Sequence, residues 1–219
     1  MGHDADTEPD TPDPEPDTPD TEPDTPDTTV IVLLAAGAGS RFHGPDHKLT
    51  ATIDGRSVAD RAVASAVAAD VGPVVVVTGS IDLPIAAAGP VEVVRNQEWA
   101  SGQSSSLAVG IRRADQLGAA AVIVGLADQP FIDPRAWRLL AAATSPIAVA
   151  TYDGARRNPV RLHRSIWPLL PTSGDEGARS LIRLRADLVQ EVPCPGSPAD
   201  IDTLEDLRTW QSKSSTSSP

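Results

Sequence analysis

Residues Thr29–Ala35 (TVIVLLA) form a continuous apolar and β-branched run that leads straight into a loop of small residues. This feature constrains the fold more than any other. A strand apolar on both faces must be covered on both faces, as a parallel sheet between helices provides. The same texture recurs at Val74–Thr78, Val91–Val94, Ala120–Leu126 and Ile147–Thr151. A short strand over Val160–Leu162 follows a turn at Tyr152–Gly154. Between them the spacing predicts helices over Ser57–Asp70, with Ser57 as N-cap, over Ser104–Gln116, and over Pro134–Ala143, with Asp133 as cap and Pro134 in the first turn. Two more are predicted over Asp175–Arg185 and Thr203–Trp210. Strands alternating with helices predict an α/β fold: a three-layer α/β/α sandwich around a mostly parallel, Rossmann-like sheet. Ligands of such sheets sit beyond the carboxyl ends of the strands.

The charge is unevenly placed. The chain carries 30 acids and 18 bases, a formal net charge of −12. Residues 1–29 hold 11 of the acids and neither Lys nor Arg, leaving a nearly neutral body. That balance excludes a basic nucleic-acid footprint. Residues 7–27 repeat a seven-residue unit (TEPDTPD, PEPDTPD, TEPDTPD) with no apolar seam and with Pro in every copy. Such a segment cannot bury enough apolar area to offset its chain entropy. Residues 1–28 are therefore expected to be a disordered acidic tail, residues 29–210 the folded domain, and residues 211–219 (QSKSSTSSP) a second disordered end. Thr11, Thr18 and Thr25 each precede Pro, which leaves a docking or phosphorylation arm as the alternative role for the acidic tail. One cysteine, Cys194, excludes an intrachain disulfide framework, and its surroundings offer no catalytic partner. No apolar run approaches the roughly 20 residues that span a bilayer, and no basic-then-apolar leader is present. A cytoplasmic protein is expected.

The first loop, Leu34-Ala-Ala-Gly-Ala-Gly-Ser-Arg-Phe42 with Lys48 beyond it, admits several chemistries. Small residues let the backbone approach a ligand, and successive N–H groups can cradle phosphate. The P-loop spacing fails, because Arg41 and Phe42 stand at the wrong offsets from Gly37. The dinucleotide fingerprint fits Gly37 and Gly39 but meets Phe42 at its last glycine, and no acid closes the second strand. A nucleotidyltransferase loop, with Arg41 and Lys48 neutralising a triphosphate, and a plain tight turn both stay open.

The Leu34–Lys48 segment resembles the signature of the molybdenum cofactor nucleotidyltransferases. Its Ala-Ala-Gly is closer to the molybdopterin cytidylyltransferase branch than to the guanylyltransferase branch. The spacing departs from the family pattern, because His43 is inserted before Gly44 and Lys48 stands seven residues after Arg41. The resemblance implies that Leu34, Ala35, Ala36, Gly37, Ala38, Gly39, Ser40, Arg41 and Lys48 bind nucleotide, with Arg41 and Lys48 catalytic.

Five further segments agree with it. Asn96–Leu107 (NQEWASGQSSSL) precedes a helix and resembles the family segment that closes over the base, which implies nucleotide contacts from Gly102, Ser104 and Ser105. By composition alone this segment reads as simple helix capping. Ala127-Asp128-Gln129-Pro130 ends a strand, where a carboxylate is well placed to hold Mg²⁺ against phosphate oxygens. The same Asp could instead cap a turn; the family resemblance implies that Asp128 holds the metal and is a catalytic, nucleotide-binding residue. Asp200-Ile-Asp-Thr-Leu-Glu-Asp-Leu207 resembles a family motif, with Asp200 as second metal carboxylate and Asp202 as N-cap of the last helix. Gly154–Val160 (GARRNPV) and Gly174–Arg179 (GDEGAR) resemble the segments bordering the pterin pocket, which implies acceptor contacts from Arg157, Asn158, Asp175 and Arg179. Trp99, Trp137, Trp167 and Trp210 read as core or interface anchors.

Together these imply Mg²⁺-dependent transfer of a nucleotidyl group, CMP from CTP, to the terminal phosphate of molybdopterin or the molybdenum cofactor, with a client molybdoenzyme downstream. Two alternatives accompany it. One is a nicotinamide-dependent reductase of the nicotine-blue oxidoreductase type, which resembles this family. The other is a carrier that holds the cofactor without consuming nucleotide.

Overall fold

A computed structural model of the protein describes residues 28–86 and 89–216. Of the acidic tail expected to be disordered, residues 1–28, residues 1–27 lie outside the described residues, as do residues 217–219 of the expected C-terminal end.

The first strand, β1 (Thr29–Ala35), is buried along its whole length, as its two-faced apolar pattern requires. A small hairpin follows, β2 (Thr52–Ile53) and β3 (Arg56–Ser57). Helix α1 (Val58–Ala68) starts at Ser57, whose side chain accepts from the Asp60 amide as an N-cap should. Then come β4 (Val74–Thr78), β5 (Val91–Arg95), α2 (Gln103–Gln116) and β6 (Ala121–Leu126). Helix α3 (Pro134–Ala141) is capped by Asp133, with Pro in the first turn. The chain closes with β7 (Ile147–Tyr152), β8 (Ala155–His163), α4 (Arg179–Leu184), β9 (Val189–Pro193) and α5 (Leu204–Thr216).

Seven strands form one sheet in the order β5-β4-β1-β6-β8-β7-β9. All its pairings are parallel except those of β8, which runs antiparallel between β6 and β7. Alternate residues of β1 feed opposite layers, the period-two rule of a strand. Ile31 and Leu33 face a core built with Val58, Val63, Ala136, Trp137, Leu140 and Leu207, from α1, α3 and α5. Val30, Val32 and Leu34 face a core built with Leu107, Ala114 and Leu181, from α2 and α4. Each fully buried aliphatic side chain contributes about 1.5–3 kcal/mol. The sandwich is the one expected.

Three expectations are corrected. The short strand Val160–Leu162 is the buried part of a longer strand that begins at Ala155. The helix expected over Asp175–Arg185 begins only at Arg179. Gly174 and Gly177 take positive φ (89° and 54°), which keeps that stretch out of the helix. The last helix runs past Trp210 to Thr216, and Gln211 Nε2 donates to the Thr52 carbonyl at 2.8 Å, tying residues expected to be a loose end onto the β2 hairpin. Strand β9 escaped the sequence reading because it is an edge strand. Gln190 and Glu191 are exposed, so no continuous apolar run marks it.

Candidate active site

Strands β1, β4 and β6 run parallel, so the loops after Ala35, Thr78 and Leu126 emerge on one rim. There the loops after Ala35 and Leu126 border a cleft of about 670 Å³. The glycine loop forms one wall. Ser80 donates through its amide to the Ala36 carbonyl (3.1 Å) and through Oγ to the Gly37 carbonyl (2.8 Å). His47 Nε2 lies 3.1 Å from the same Gly37 oxygen, while Nδ1 accepts from the Leu49 amide at 3.2 Å. Those contacts fix the neutral tautomer with the proton on Nε2. Burial pushes the His47 pKa below its ordinary value, with the neighbouring Lys48 charge acting the same way. A trans peptide points its C=O and N–H in opposite directions. Pinning the carbonyls of Ala36 and Gly37 from behind therefore turns the amides of Gly37 and Ala38 the other way, as an anion cradle requires. Gly39 sits at φ 63°, and a Cβ there would press on His47 Nε2 at 3.0 Å.

The opposite wall is acidic. Asp128 follows β6, and its carbonyl accepts from the Ile201 amide at 2.9 Å. Gln129, 4% exposed, donates from Nε2 to the Pro198 carbonyl (3.0 Å) and to Asp200 Oδ1 (2.7 Å). These bonds clip the 198–202 segment to the end of β6. Asp128, Asp200 and Asp202 all line the cleft. Burial raises the Asp200 pKa, the Asp128 charge adds to that, and the Gln129 hydrogen bond works against it.

Lys48 bridges the two walls. Its Nζ lies 2.6 Å from Asp128 Oδ2 and 2.8 Å from Asp202 Oδ1. Its side chain is only 12% exposed. Burial pulls the ammonium pKa down, but the two carboxylates outweigh it and the net shift is upward. Arg41 Nη2 reaches Asp202 Oδ2 at 3.0 Å. Asp202 is therefore not the cap of α5. That role belongs to Thr203, whose Oγ1 accepts from the Asp206 amide (3.1 Å) while Asp206 Oδ2 accepts from the amides of Thr203 (2.8 Å) and Asp202 (3.1 Å).

Leu34, Ala36, Gly37, Ala38, Gly39, Ser40, Arg41, Lys48, Gly102, Asp128, Asp175, Arg179 and Asp200 all line the cleft. Ala35 does not, being 2% exposed within the core of β1. Ser104 and Ser105 stand behind the wall. Ser104 Oγ accepts from the Gly177 amide at 3.1 Å, and Ser105 Oγ accepts from Asn96 Nδ2 at 2.9 Å. The α2 residues that line the cleft are Gln103 and Ser106. Their three-residue spacing puts them on one helix face, a signal the sequence contained. Trp99 lines the cleft rather than anchoring the core. Trp137, 1% exposed, is a core anchor as expected, and Trp210 stacks on Phe131 with ring centroids 3.8 Å apart. Asn158 lines a smaller side chamber that shares Leu34, Gln103 and Arg179 with the main cleft. Arg157 is exposed on the β7–β8 hairpin, donating to the Arg156 carbonyl at 3.0 Å. Burial pushes the Cys194 thiol up to about 11, which leaves it protonated and inert. Among the described residues no helix is long and apolar enough to cross a membrane.

Residues 31–192 match the MobA-like NTP transferase domain. The purine catabolism protein PucB of Bacillus subtilis is 35% identical over 115 residues, 50% of this chain and 56% of PucB. The chain thus matches little more than half of that relative's length. The nicotine blue oxidoreductase of Paenarthrobacter nicotinovorans is 29% identical over 192 residues, 80% of this chain and 93% of that protein. Among solved structures, a nucleotidyl transferase from Methanothermobacter superposes with a TM-score of 0.71 at 21% identity, covering 87% of this chain and 99% of its own. Rv0371c from Mycobacterium tuberculosis gives 0.68 at 24%, covering 84% and 97%. A cationic glycine loop facing acidic side chains at the rim of this sheet, and a domain match over most of the body, lead to one conclusion: the chain belongs to the MobA-like NTP transferase family and is of the nucleotidyltransferase class.

Proposed function

We propose that the protein transfers CMP from CTP to the terminal phosphate of molybdopterin or the molybdenum cofactor. The observation that carries the transfer reading is the pairing of Lys48 and Arg41 with Asp128 and Asp202 beneath the glycine loop. The cytosine assignment rests on the resemblance at Ala35-Ala36-Gly37 and the Ser104-Ser105 region, and the pterin assignment on the resemblance at Gly154–Val160 and Gly174–Arg179. In the reaction a terminal phosphate oxygen of the acceptor attacks the α-phosphorus. The bond from that phosphorus to the bridging oxygen breaks, and pyrophosphate leaves with the electron pair. The loop amides and the two cations hold the phosphates and offset charge gathering on the leaving group. Gln103 and Ser106 contact the base more directly than Ser104 and Ser105. Asp175 and Arg179, with Asn158 and Arg157 farther out, border the acceptor.

A divalent cation fits the acidic wall. Asp128 Oδ1 is buried and has no hydrogen-bond partner, an orphan that a cation would satisfy. Among the described residues no three His, Cys, Asp or Glu side chains form a self-sufficient metal site. Asp128 and Asp200 would thus hold Mg²⁺ jointly with substrate oxygens, the usual arrangement for that ion. Mg²⁺ supplies charge neutralisation on the phosphates when bound. Rv0371c, of the same fold at 23% identity and a TM-score of 0.65, has been solved in complex with manganese.

Pyrophosphate release is measured with CTP, GTP and ATP, with and without molybdopterin and Mg²⁺. Release from CTP alone, dependent on both additions, is expected. Release without molybdopterin, or equal release from all three nucleotides, overturns the assignment. The Asp128→Ala variant should be inactive yet folded. A second reading, nicotinamide-dependent reduction, is favoured by the alignment to 93% of the nicotine blue oxidoreductase. Stabilisation by NADPH without Mg²⁺, together with no response to CTP, would select it.

A further inference from the structure

We propose that Asp202 is a positioning residue for the transfer reaction, parking Lys48 and Arg41 on its two carboxylate oxygens in the ligand-free cleft and surrendering both to the triphosphate. The inference rests on the nucleotidyl-transfer reading. Each oxygen of Asp202 takes a different cation, Oδ1 the Lys48 ammonium at 2.8 Å and Oδ2 the Arg41 guanidinium at 3.0 Å. The carboxylate stands on a fixed backbone. Its own amide and that of Thr203 are held by Asp206, and the Ile201 amide is held by the Asp128 carbonyl. The two cations differ in freedom. Lys48 is enclosed, while the Arg41 side chain is 76% exposed. Asp202 gives the exposed arginine the same reference point as the buried lysine.

Long cationic side chains lose considerable rotamer freedom when they are ordered on a ligand. Ordering them beforehand lowers that cost and sets them in a common geometry. The arrangement also opposes binding. Three carboxylates face two cations along this wall, so a polyanion must win both cations from Asp202 before it can settle. Asp202 thus weakens the binding of nucleotide without metal and speeds the transfer of nucleotide with it. A merely structural residue would not separate those two effects.

Calorimetric titration of CTP in EDTA and in Mg²⁺, with single-turnover transfer rates, tests this on the Asp202→Asn and Asp202→Glu variants. Asp202→Asn should bind metal-free CTP about threefold more tightly, the size of a partly exposed ion pair. Its single-turnover rate should fall about tenfold or more as the two cations lose alignment. Asp202→Glu, which restores the charge, should move both values back toward wild type. Unchanged metal-free affinity, or wild-type transfer by Asp202→Asn, overturns the proposal and leaves the transfer reading standing. A wild-type protein that binds no nucleotide in either condition overturns both. Should Asp202→Asn fail to fold, a crystal structure of the wild type with CTP decides the matter. Lys48 Nζ should have left Asp202 Oδ1 for a phosphate oxygen, and a retained contact overturns the proposal.

Discussion

His47 Nε2 lies 3.1 Å from the carbonyl oxygen of Gly37, so the residue beside the buried lysine braces the glycine loop from outside the cleft. Two neighbouring side chains thus divide the work, one holding the backbone and one reaching the acidic wall. His47→Gln keeps an N–H donor and should retain most activity. His47→Ala removes the brace, costs about 1 kcal/mol of stability and lowers nucleotide affinity. The His47 pKa is lowered on folding, so the unfolded chain takes up its proton first. The stability this supplies is present above about pH 6.5, the ordinary imidazole value, and is lost as pH falls through the lower folded value. Melting temperatures from pH 7.5 to 5.5 should fall more steeply for wild type than for His47→Gln, and parallel curves would contradict the assignment.

Lys48 is expected to matter in both stability and turnover. Lys48→Met leaves Asp128 and Asp202 facing each other without their shared cation. Breaking a largely buried pair costs up to about 3 kcal/mol, and removing a preorganised charge at the phosphates should slow transfer about 100-fold or more. Thermal melts and initial rates check the two effects separately. A wild-type rate would remove Lys48 from the reaction.

Asp200 should show the opposite balance. Its folded pKa is raised by burial and by Asp128. The stability linked to its proton is therefore fully present below the ordinary carboxyl value and lost as pH rises through the raised folded value. Asp200→Asn cannot ionise, and its side-chain oxygen can still accept from Gln129. Its melting temperature should exceed that of wild type at pH 7, the gap closing toward pH 4, while transfer is lost. Equal melting curves at both pH values would show that Asp200 carries no buried-charge cost.

Gly102 tests the seam between the start of α2 and the 174–175 turn. Its φ is 108°, and a Cβ there would stand 2.5 Å from the Gly174 backbone and 2.7 Å from Asp175 Oδ1. Gly102→Ala should cost about 1–3 kcal/mol in strain and displace Asp175 from the cleft, raising KM more than it lowers kcat. Denaturant melts and steady-state rates measure both. A variant with wild-type stability would mean that the turn yields freely.

Much of the frame was readable because burial writes itself into composition. β1 and β4 have the expected limits, since a strand covered on both faces must be apolar throughout. Ser57 and Asp133 cap their helices because a side-chain oxygen at that point meets an orphan amide. What could not be read depended on distant partners. Asp202 looks like a cap in sequence, and only the fold brings Lys48 and Arg41 to it. Ser104 and Ser105 look like ligands for a base, yet Asn96 and Gly177 claim them. The periodicity of α2 carried the information that Gln103 and Ser106 share a face, but not which face met the cleft.

The acidic wall is assembled from two distant stretches of chain, the end of β6 and the 198–202 segment fastened to it by Gln129 and Ile201. During synthesis the glycine loop and most of the sheet leave the ribosome well before Asp200 and Asp202 exist. A nascent chain that stops before this segment lacks Asp200 and the partner that Lys48 and Arg41 share. The charge pairing at the cleft is therefore completed only when this late stretch docks on the end of β6.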